Sequence, residues 1–167
     1  MKQLTHKEID NKHRKFPITI VCDAIRTPEN IGMCFRVADS FGVEKIYLHE
    51  NSINLENRKV QKTARNTIRQ INHERYSDFN NLISNLKNDG NSVVGLEITD
   101  ASTKLQNFDF KKHSKIVLVL GSERNGISNV DILDRSIAIP MFGNNSSMNV
   151  IHSLAITLYE ITNQLNQ

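Results

Sequence analysis

Three polar segments of the sequence carry side chains whose types suit binding or catalysis. The first contains Asn30 and Arg36, the second contains Glu123, and the third contains Ser147 and Asn149. Amides, a carboxylate, a hydroxyl and a guanidinium are groups that orient a polar substrate through hydrogen bonds and charge. If the fold brings the segments together, they predict a site built from hydrogen-bonding groups.

Several common kinds of site are excluded by what these segments lack. Neither a G-x-G-x-x-G turn nor a G-x-x-x-x-G-K-[ST] loop occurs, which argues against an ordinary dinucleotide or nucleoside triphosphate site. The two cysteines, Cys22 and Cys34, lie in apolar runs without a second pair to complete a zinc site. We therefore expect reduced core thiols and no metal.

Each polar segment also has an ordinary structural explanation. Asn30 and Arg36 are six residues apart, which does not place them on one helix face, so they are equally well a capping amide and a solvated or ion-paired guanidinium. The loop around Glu123 contains Gly121 and Gly126 and suits a left-handed turn. The third segment suits an Asx-rich turn with a helix cap.

The elements that position these residues follow an α/β pattern. Short β-branched runs alternate with longer helical patterns, as in a largely parallel sheet. The predicted strands span residues 18–23, 45–48, 68–72, 92–97, 116–120 and 136–139. Ligands of such sheets collect beyond the carboxyl ends of the strands, where the polar segments fall.

Helix signals lie between the predicted strands. The predicted helices run from a Thr27 cap through Pro28 to Gly42, from a Ser77 or Asp78 cap to Gly90, and from near Asn149 to the end of the chain. A Thr5 and Glu8 pair also resembles a capping box and predicts a short helix at the amino terminus.

Composition bounds the class of protein. The 167 residues, 38% hydrophobic and 23% charged, predict a single globular domain over residues 1–167. No long apolar run or signal peptide is present, so we expect a cytoplasmic protein without membrane contact. The net charge of +3 permits a nucleic-acid partner, and basic residues cluster at 12–15 and 58–69. A solvated helix face explains such clusters equally well.

The three segments also follow an ordered set of motifs. These are N-I-G-x-x-x-R with A-D-S-F-G from Asn30, L-G-x-E-x-x-G-I-S from Leu120, and I-P-M-x-G-x-x-x-S-M-N-V from Ile139, ending in L-Y-E at Glu160. In this order and at these spacings they resemble the motifs of SpoU (TrmH-like) RNA 2′-O-ribose methyltransferases, of the SPOUT class.

That resemblance implies a fold, a cofactor and an assembly. The expected fold is a parallel α/β sheet whose C-terminal segment forms a trefoil knot, against the usual rule that chains are unknotted. The expected cofactor is S-adenosylmethionine, held in the knot, and the expected assembly is a homodimer that completes the site. The implied reaction methylates a ribose 2′-hydroxyl in RNA, with tRNA preferred over rRNA as the substrate.

The resemblance also assigns residue roles. Arg36 orients the ribose and the neighbouring phosphate, Asn30 positions Arg36, and Glu123 and Asn149 hold the loop geometry. A guanidinium keeps its proton in nearly all protein environments, so the proton acceptor is left open. The implied cofactor contacts are Leu96, Gly121, Ile139, Ser147 and Met148. The implied RNA contacts are Arg58, Lys59, Lys62 and Arg65.

The final helix departs from the usual pattern and predicts the dimer seam. Ile151, His152 and Ser153 stand where small residues are common, and His152 is interpreted either as a general base or as a residue packed against the core or a partner. Two apolar faces, Val150, Leu154 and Leu158 beside Ile151, Ala155 and Tyr159, favour a homodimer in which this helix and the helix beginning at Pro28 meet the partner. Packing of the second face beneath the chain's own loop is the alternative.

Two other functions are alternatives. One is an RNA-binding protein of the same fold that has lost catalysis, and the intact Asn30, Arg36, Glu123 and Asn149 argue against it. A flavodoxin-like receiver domain would need an acidic or phosphate-binding cluster after the first strand, and Asp23-Ala24-Ile25-Arg26 does not supply one.

Overall fold

The structure, a computed structural model, describes residues 1–5, 8 and 13–167. In this part of the chain, seven parallel strands form one sheet in the order β3-β2-β1-β6-β4-β7-β5. The strands are β1 (Phe16–Cys22), β2 (Val43–His49), β3 (Asn72–Tyr76), β4 (Ser92–Leu96), β5 (Thr103–Lys104), β6 (Ile116–Leu120) and β7 (Arg135–Ala138). The carboxyl ends of β1, β6, β4 and β7 therefore meet along one edge.

Helices cover both faces of this sheet. The α-helices of the described residues are α1 (Pro28–Ser40), α2 (Arg58–Ala64), α3 (Phe79–Asn88) and α4 (Val150–Leu165). Alternate residues of β6 belong to different cores: Leu118 packs with the cluster that includes α1 and α4, whereas Val119 packs with the cluster that includes α3. Burial on both faces explains why β6 is apolar throughout.

Five of the six predicted strands are confirmed to within two residues. The strand predicted at 68–72 is wrong, because Thr67–Arg69 is a 3₁₀ turn and the strand is Asn72–Tyr76. β3 is an edge strand with four exposed polar residues before Tyr76, so no apolar alternation marks it. Two further elements, β5 and α2, were not predicted.

The principal predicted helices are confirmed, with one correction to their caps. The side chain of Asp78 accepts a hydrogen bond from the Asn81 amide at 3.0 Å, and that of Asn149 accepts one from the Ile151 amide at 2.8 Å. Thr27 precedes Pro28 in extended geometry, but its side chain makes no capping bond. The predicted amino-terminal helix, and Lys12 of the first basic cluster, fall largely on residues outside the described ranges.

The two cysteines lie in the core, as expected. Cys22 and Cys34 are buried free thiols whose sulfur atoms lie 3.7 Å apart. This contact, together with burial, raises the pKa of the Cys22 thiol. Among the described residues, no helix has both the length and the hydropathy needed to cross a bilayer.

Candidate active site

A chain of amide hydrogen bonds connects the three polar segments. The Asn149 side chain donates to Asn30 Oδ1 at 3.1 Å, and Asn30 Nδ2 donates to Glu123 Oε1 at 2.7 Å. Asn149 Oδ1 accepts from the Ile151 amide, which ties the chain to the start of α4. Because each amide both donates and accepts, its orientation is fixed, and the loop geometry is fixed with it.

Glu123 is the charged end of this amide chain. Burial alone would raise its pKa, but hydrogen bonds from the Thr27 and Asn30 side chains and from backbone amides outweigh that effect and lower the pKa. The carboxylate therefore stays ionised near neutral pH at the amino-terminal end of α1, where the helix dipole favours negative charge.

A cavity of about 530 Å³ lies beside the amide chain, at the carboxyl ends of β4, β6 and β7. Its lining includes Glu123 and Asn149. All residues assigned to the cofactor by resemblance line it as well: Leu96, Gly121, Ile139, Ser147 and Met148. We call it the first cavity; its volume is within the range of about 300–1,000 Å³ found for small-molecule sites.

Two close backbone approaches shape the wall of the first cavity. A Cβ atom on Gly121 would lie 2.3 Å from the carbonyl carbon of Gly126, so a side chain at 121 would force the loop open. Gly126 itself has φ 66° and packs against the Glu97 carboxylate, which accepts a hydrogen bond from the Ile127 amide at 3.1 Å. The glycines of the second motif thus let the loop fold back on itself.

Arg36 is not among the residues that line the first cavity. Its side chain forms no ion pair within the described part of the chain. The Asn30 amide bonds to Glu123 and Asn149, and the expectation that Asn30 positions Arg36 stays a prediction.

The predicted RNA contacts are grouped on α2 and its last turn. Arg58, Lys59, Lys62 and Arg65 are all exposed. Lys59 pairs with Glu29 at 3.2 Å, and Arg65 has φ 55°, a rare conformation for a residue with a side chain. α2 packs tightly on α1, because a Cβ on Gly32 would lie 2.0 Å from the Thr63 hydroxyl. The basic helix α2 therefore contacts α1 at Gly32, two positions after Asn30 in the sequence.

Sequence reasoning missed two acidic residues that hold the loop after β6. Glu97 follows β4 and bonds to the Ile127 amide, while Asp23 follows β1 and accepts from the Ser128 amide at 2.6 Å and the Ser128 hydroxyl at 2.7 Å. Their location, each one residue beyond a buried strand, was the available signal.

The outward face of α4 differs from the predicted one. Ile151 is buried in the core of its own chain, so its assignment to a partner-facing stripe is wrong. The exposed stripe is His152, Ile156 and Tyr159, which keeps Tyr159 of the predicted face; Ile156 and Tyr159 are 43% and 62% exposed. His152 therefore does not pack against its own core.

The parallel sheet, with a cavity and hydrogen-bonded amides at its carboxyl edge, places the chain among the α/β proteins that bind ligands beyond the carboxyl ends of their strands. Within that class, the chain belongs to the SpoU rRNA Methylase family, whose sequence profile matches residues 17–159.

Relatives in two bacteria have names that describe a 23S rRNA (guanosine-2′-O-)-methyltransferase, RlmB. The Haemophilus influenzae protein is 30% identical over 171 residues, covering 98% of this chain and 67% of the relative. The Vibrio parahaemolyticus protein is 28% identical over 167 residues, with 98% and 66% covered. The chain spans 62% of a TrmH family relative from Staphylococcus epidermidis, to which it is 26% identical. These curated relatives are thus considerably longer than this chain.

Solved structures share the fold. The A. aeolicus TrmH/SpoU tRNA modifying enzyme matches with a TM-score of 0.81 and 25% identity, over 92% of this chain and 78% of that one. An rRNA methyltransferase from Sinorhizobium meliloti, solved with AdoMet bound, matches with a TM-score of 0.82 and 22% identity, over 92% and 58%. SpoU methyltransferases use S-adenosylmethionine, and the predicted cofactor is confirmed at the level of the family.

Proposed function

We propose that this chain transfers a methyl group from S-adenosylmethionine to a ribose 2′-hydroxyl of RNA. The observation that carries the proposal is the amide chain from Asn149 through Asn30 to Glu123, beside a cavity lined by the loops after β4, β6 and β7. The 2′-O position comes from the motif resemblance and from the names of the RlmB relatives. We expect the reaction in the cytoplasm, where tRNA and rRNA are found.

The first cavity suits a cationic ligand with an apolar body. Leu96, Ile139 and Met148 supply apolar surface, while Glu97 and Glu123 supply negative charge. No lysine or arginine is among the described residues that line it. Opposite charges attract strongly where water is partly excluded, which favours a sulfonium over a neutral thioether.

Bound S-adenosylmethionine supplies an electrophilic methyl group, and the chain's part is to present the ribose oxygen in line with it. We assign the grip on the ribose and its phosphate to the Arg36 guanidinium, whose five donors suit phosphate oxygens. Alignment of this kind is worth roughly 7–11 kcal/mol of activation free energy. Glu123, Asn30 and Asn149 keep the cavity wall in one arrangement through the hydrogen bonds described above.

A charge placed at the cavity rim tests the cofactor assignment. Ser147→Arg should weaken binding of S-adenosylmethionine by about tenfold or more, because it sets a cation against the sulfonium. Binding of the product S-adenosylhomocysteine, whose sulfur is a neutral thioether, should fall less. Isothermal titration calorimetry measures both constants.

Ser146→Arg is the matched control, since Ser146 is also exposed but does not line the first cavity. It should bind both ligands as the unaltered protein does. If the unaltered protein binds neither ligand, even with RNA present, the cofactor assignment is wrong.

The basic helix α2 is proposed as the main RNA contact. Lys62→Ala with Arg65→Ala should weaken RNA binding. It should also reduce the magnitude of the salt slope, d log K/d log[salt], by about 1.4–1.8, because binding with two fewer phosphate contacts releases fewer counterions from the RNA. Filter binding at several salt concentrations, with tRNA and with rRNA fragments, measures the slope for each class of RNA.

The control pair is Lys111→Ala with Lys112→Ala, two exposed lysines near the amino end of β6. This variant should keep the original slope. An unchanged salt slope in the Lys62 and Arg65 variant would mean that α2 is a solvated helix face and does not contact RNA. A higher affinity for rRNA than for tRNA would overturn the preference for tRNA.

We also propose the trefoil knot, which is supported by the strand register. Ile137 of β7 pairs with Leu96 on one side and Thr103 on the other. Residues 97–102 therefore pass from one side of β7 to the other at its carboxyl end. Threading of the following segment, 139–149, beneath this connection would form the knot.

The homodimer remains part of the proposal. Arg36 does not line the first cavity of its own chain, and α4 presents Ile156 and Tyr159 to solvent. A partner packed on α4 and α1 would cover these apolar side chains and bring its Arg36 to the first cavity.

A further inference from the structure

A second cavity of about 670 Å³ lies at the carboxyl ends of β1, β2 and β3. Ser128 and Asn129 line it, whereas Gly121, Ser122 and Glu123 of the same loop line the first cavity. Of the residues in the family motifs only Ser128, the last of the second motif, lines this cavity, and none of the roles assigned above accounts for it.

The polar lining of the second cavity suits a nucleobase. Asn80 and Asn129 present side-chain amides, and Asn129 Nδ2 donates to Asn80 Oδ1 at 3.0 Å. His49 Nδ1 accepts a hydrogen bond from the Asn51 amide at 3.1 Å, so in the neutral ring Nε2 carries the hydrogen. Amides and imidazoles are the groups that read the edges of unpaired bases.

The charge of this lining opposes a phosphate and favours N–H donors. The lining contains two carboxylates, Asp23 and Asp78, and one guanidinium, Arg26. Asp23 is only 3% exposed and its Oδ2 already accepts from Ser128, so Asp78, an exposed residue, is the carboxylate available to accept from base amino and imino groups. The half-buried ring of His49 adds flat surface against which a base can stack, whereas Phe79 is 8% exposed and packs against Tyr76.

The backbone at the rim is also held in a costly conformation. Ala24 lines the second cavity with φ 56°, in the region that favours glycine. Strain of this kind persists where the surrounding structure fixes it, and it concentrates at ligand sites.

We propose that the second cavity binds an unpaired nucleobase of the RNA substrate. The inference rests on the proposed function for the identity of that ligand. The loop 121–129 would then contact the cofactor from one side and a base from the other, which would couple recognition of the RNA sequence to the reacting centre.

The test uses mononucleotides as probes of the full chain. ¹⁵N-labelled protein is titrated with each of the four nucleoside 5′-monophosphates and with ribose 5-phosphate, and amide shifts of residues 77–80 and 128–129 are followed. At least one nucleotide should shift these amides with saturation, and ribose 5-phosphate should not. Asn80→Ala with Asn129→Ala should weaken that binding by about fivefold or more.

Asn85→Ala is the matched control, an exposed asparagine of α3 outside the second cavity. The double variant should raise KM for RNA with little change in kcat or in cofactor affinity, whereas the control should change neither. Equal shifts with ribose 5-phosphate, or unchanged binding by the double variant, overturn the inference.

The two proposals fail in different ways. A protein that methylates RNA but shows no saturable nucleotide shifts at the second cavity contradicts this inference alone. Base-selective binding without methyl transfer to any RNA contradicts the proposed function. The second cavity would then be a nucleotide site that does not serve RNA methylation.

Discussion

Replacing Arg36 by alanine should lower kcat/KM for RNA methylation by about 10²-fold or more, while cofactor affinity and the folded state are retained. Loss of one preorganised donor at a reacting centre has costs of this size. Retention of cofactor binding is expected because Arg36 does not line the first cavity of its own chain. Single-turnover methyl transfer and calorimetry separate the two effects.

Arg36→Lys and Arg135→Ala are the companion variants. Lysine keeps the charge but not the planar donors, so it should restore only part of the rate. Arg135 is an exposed arginine at the start of β7 that does not line the first cavity, and its loss should leave the rate unchanged. Near-normal turnover by Arg36→Ala would move the ribose contact to another residue.

Charging the exposed face of α4 should dissociate the proposed dimer and lower the activity with it. Ile156→Asp with Tyr159→Asp places two carboxylates where apolar side chains are exposed in the single chain. Sedimentation should change from twice the chain mass to the 19.1 kDa of one chain. Activity should fall by about 10²-fold, because Arg36 would no longer reach a partner's first cavity.

The control is Asn85→Asp with Asn88→Asp, two exposed positions on α3 that receive the same added charge. This variant should remain dimeric and active. A fully active 19.1 kDa species, whether altered or not, would refute a site shared between two chains.

The fold was predictable where local signals agreed. β6 is apolar on every residue, and Asp78 and Asn149 cap helices as their types indicate. β3 was misplaced because its stability comes from backbone pairing with β2, which leaves no apolar pattern in its own side chains. The α2 helix was missed for a related reason, since only Val60 and Ala64 of its residues are buried.

The candidate site was predictable as a set of residues but not as a geometry. The assigned cofactor contacts line one cavity, yet no spacing rule places Asn30 between Glu123 and Asn149, which are 93 and 119 residues away along the chain. Long-range amide bonds of this kind depend on the strand order. The strand order is set by tertiary packing, and local propensity does not encode it.

The most direct test of the account is methyl transfer to RNA followed by identification of the product. The purified chain is incubated with ³H-methyl-labelled S-adenosylmethionine and total RNA from a strain that lacks its gene, and the RNA is then digested to nucleosides for chromatography and mass spectrometry. We predict that the ³H label is found in a single 2′-O-methylated nucleoside, and that Arg36→Ala transfers far less label. Label on a base, or no transfer to RNA by a protein that binds the cofactor, would contradict it.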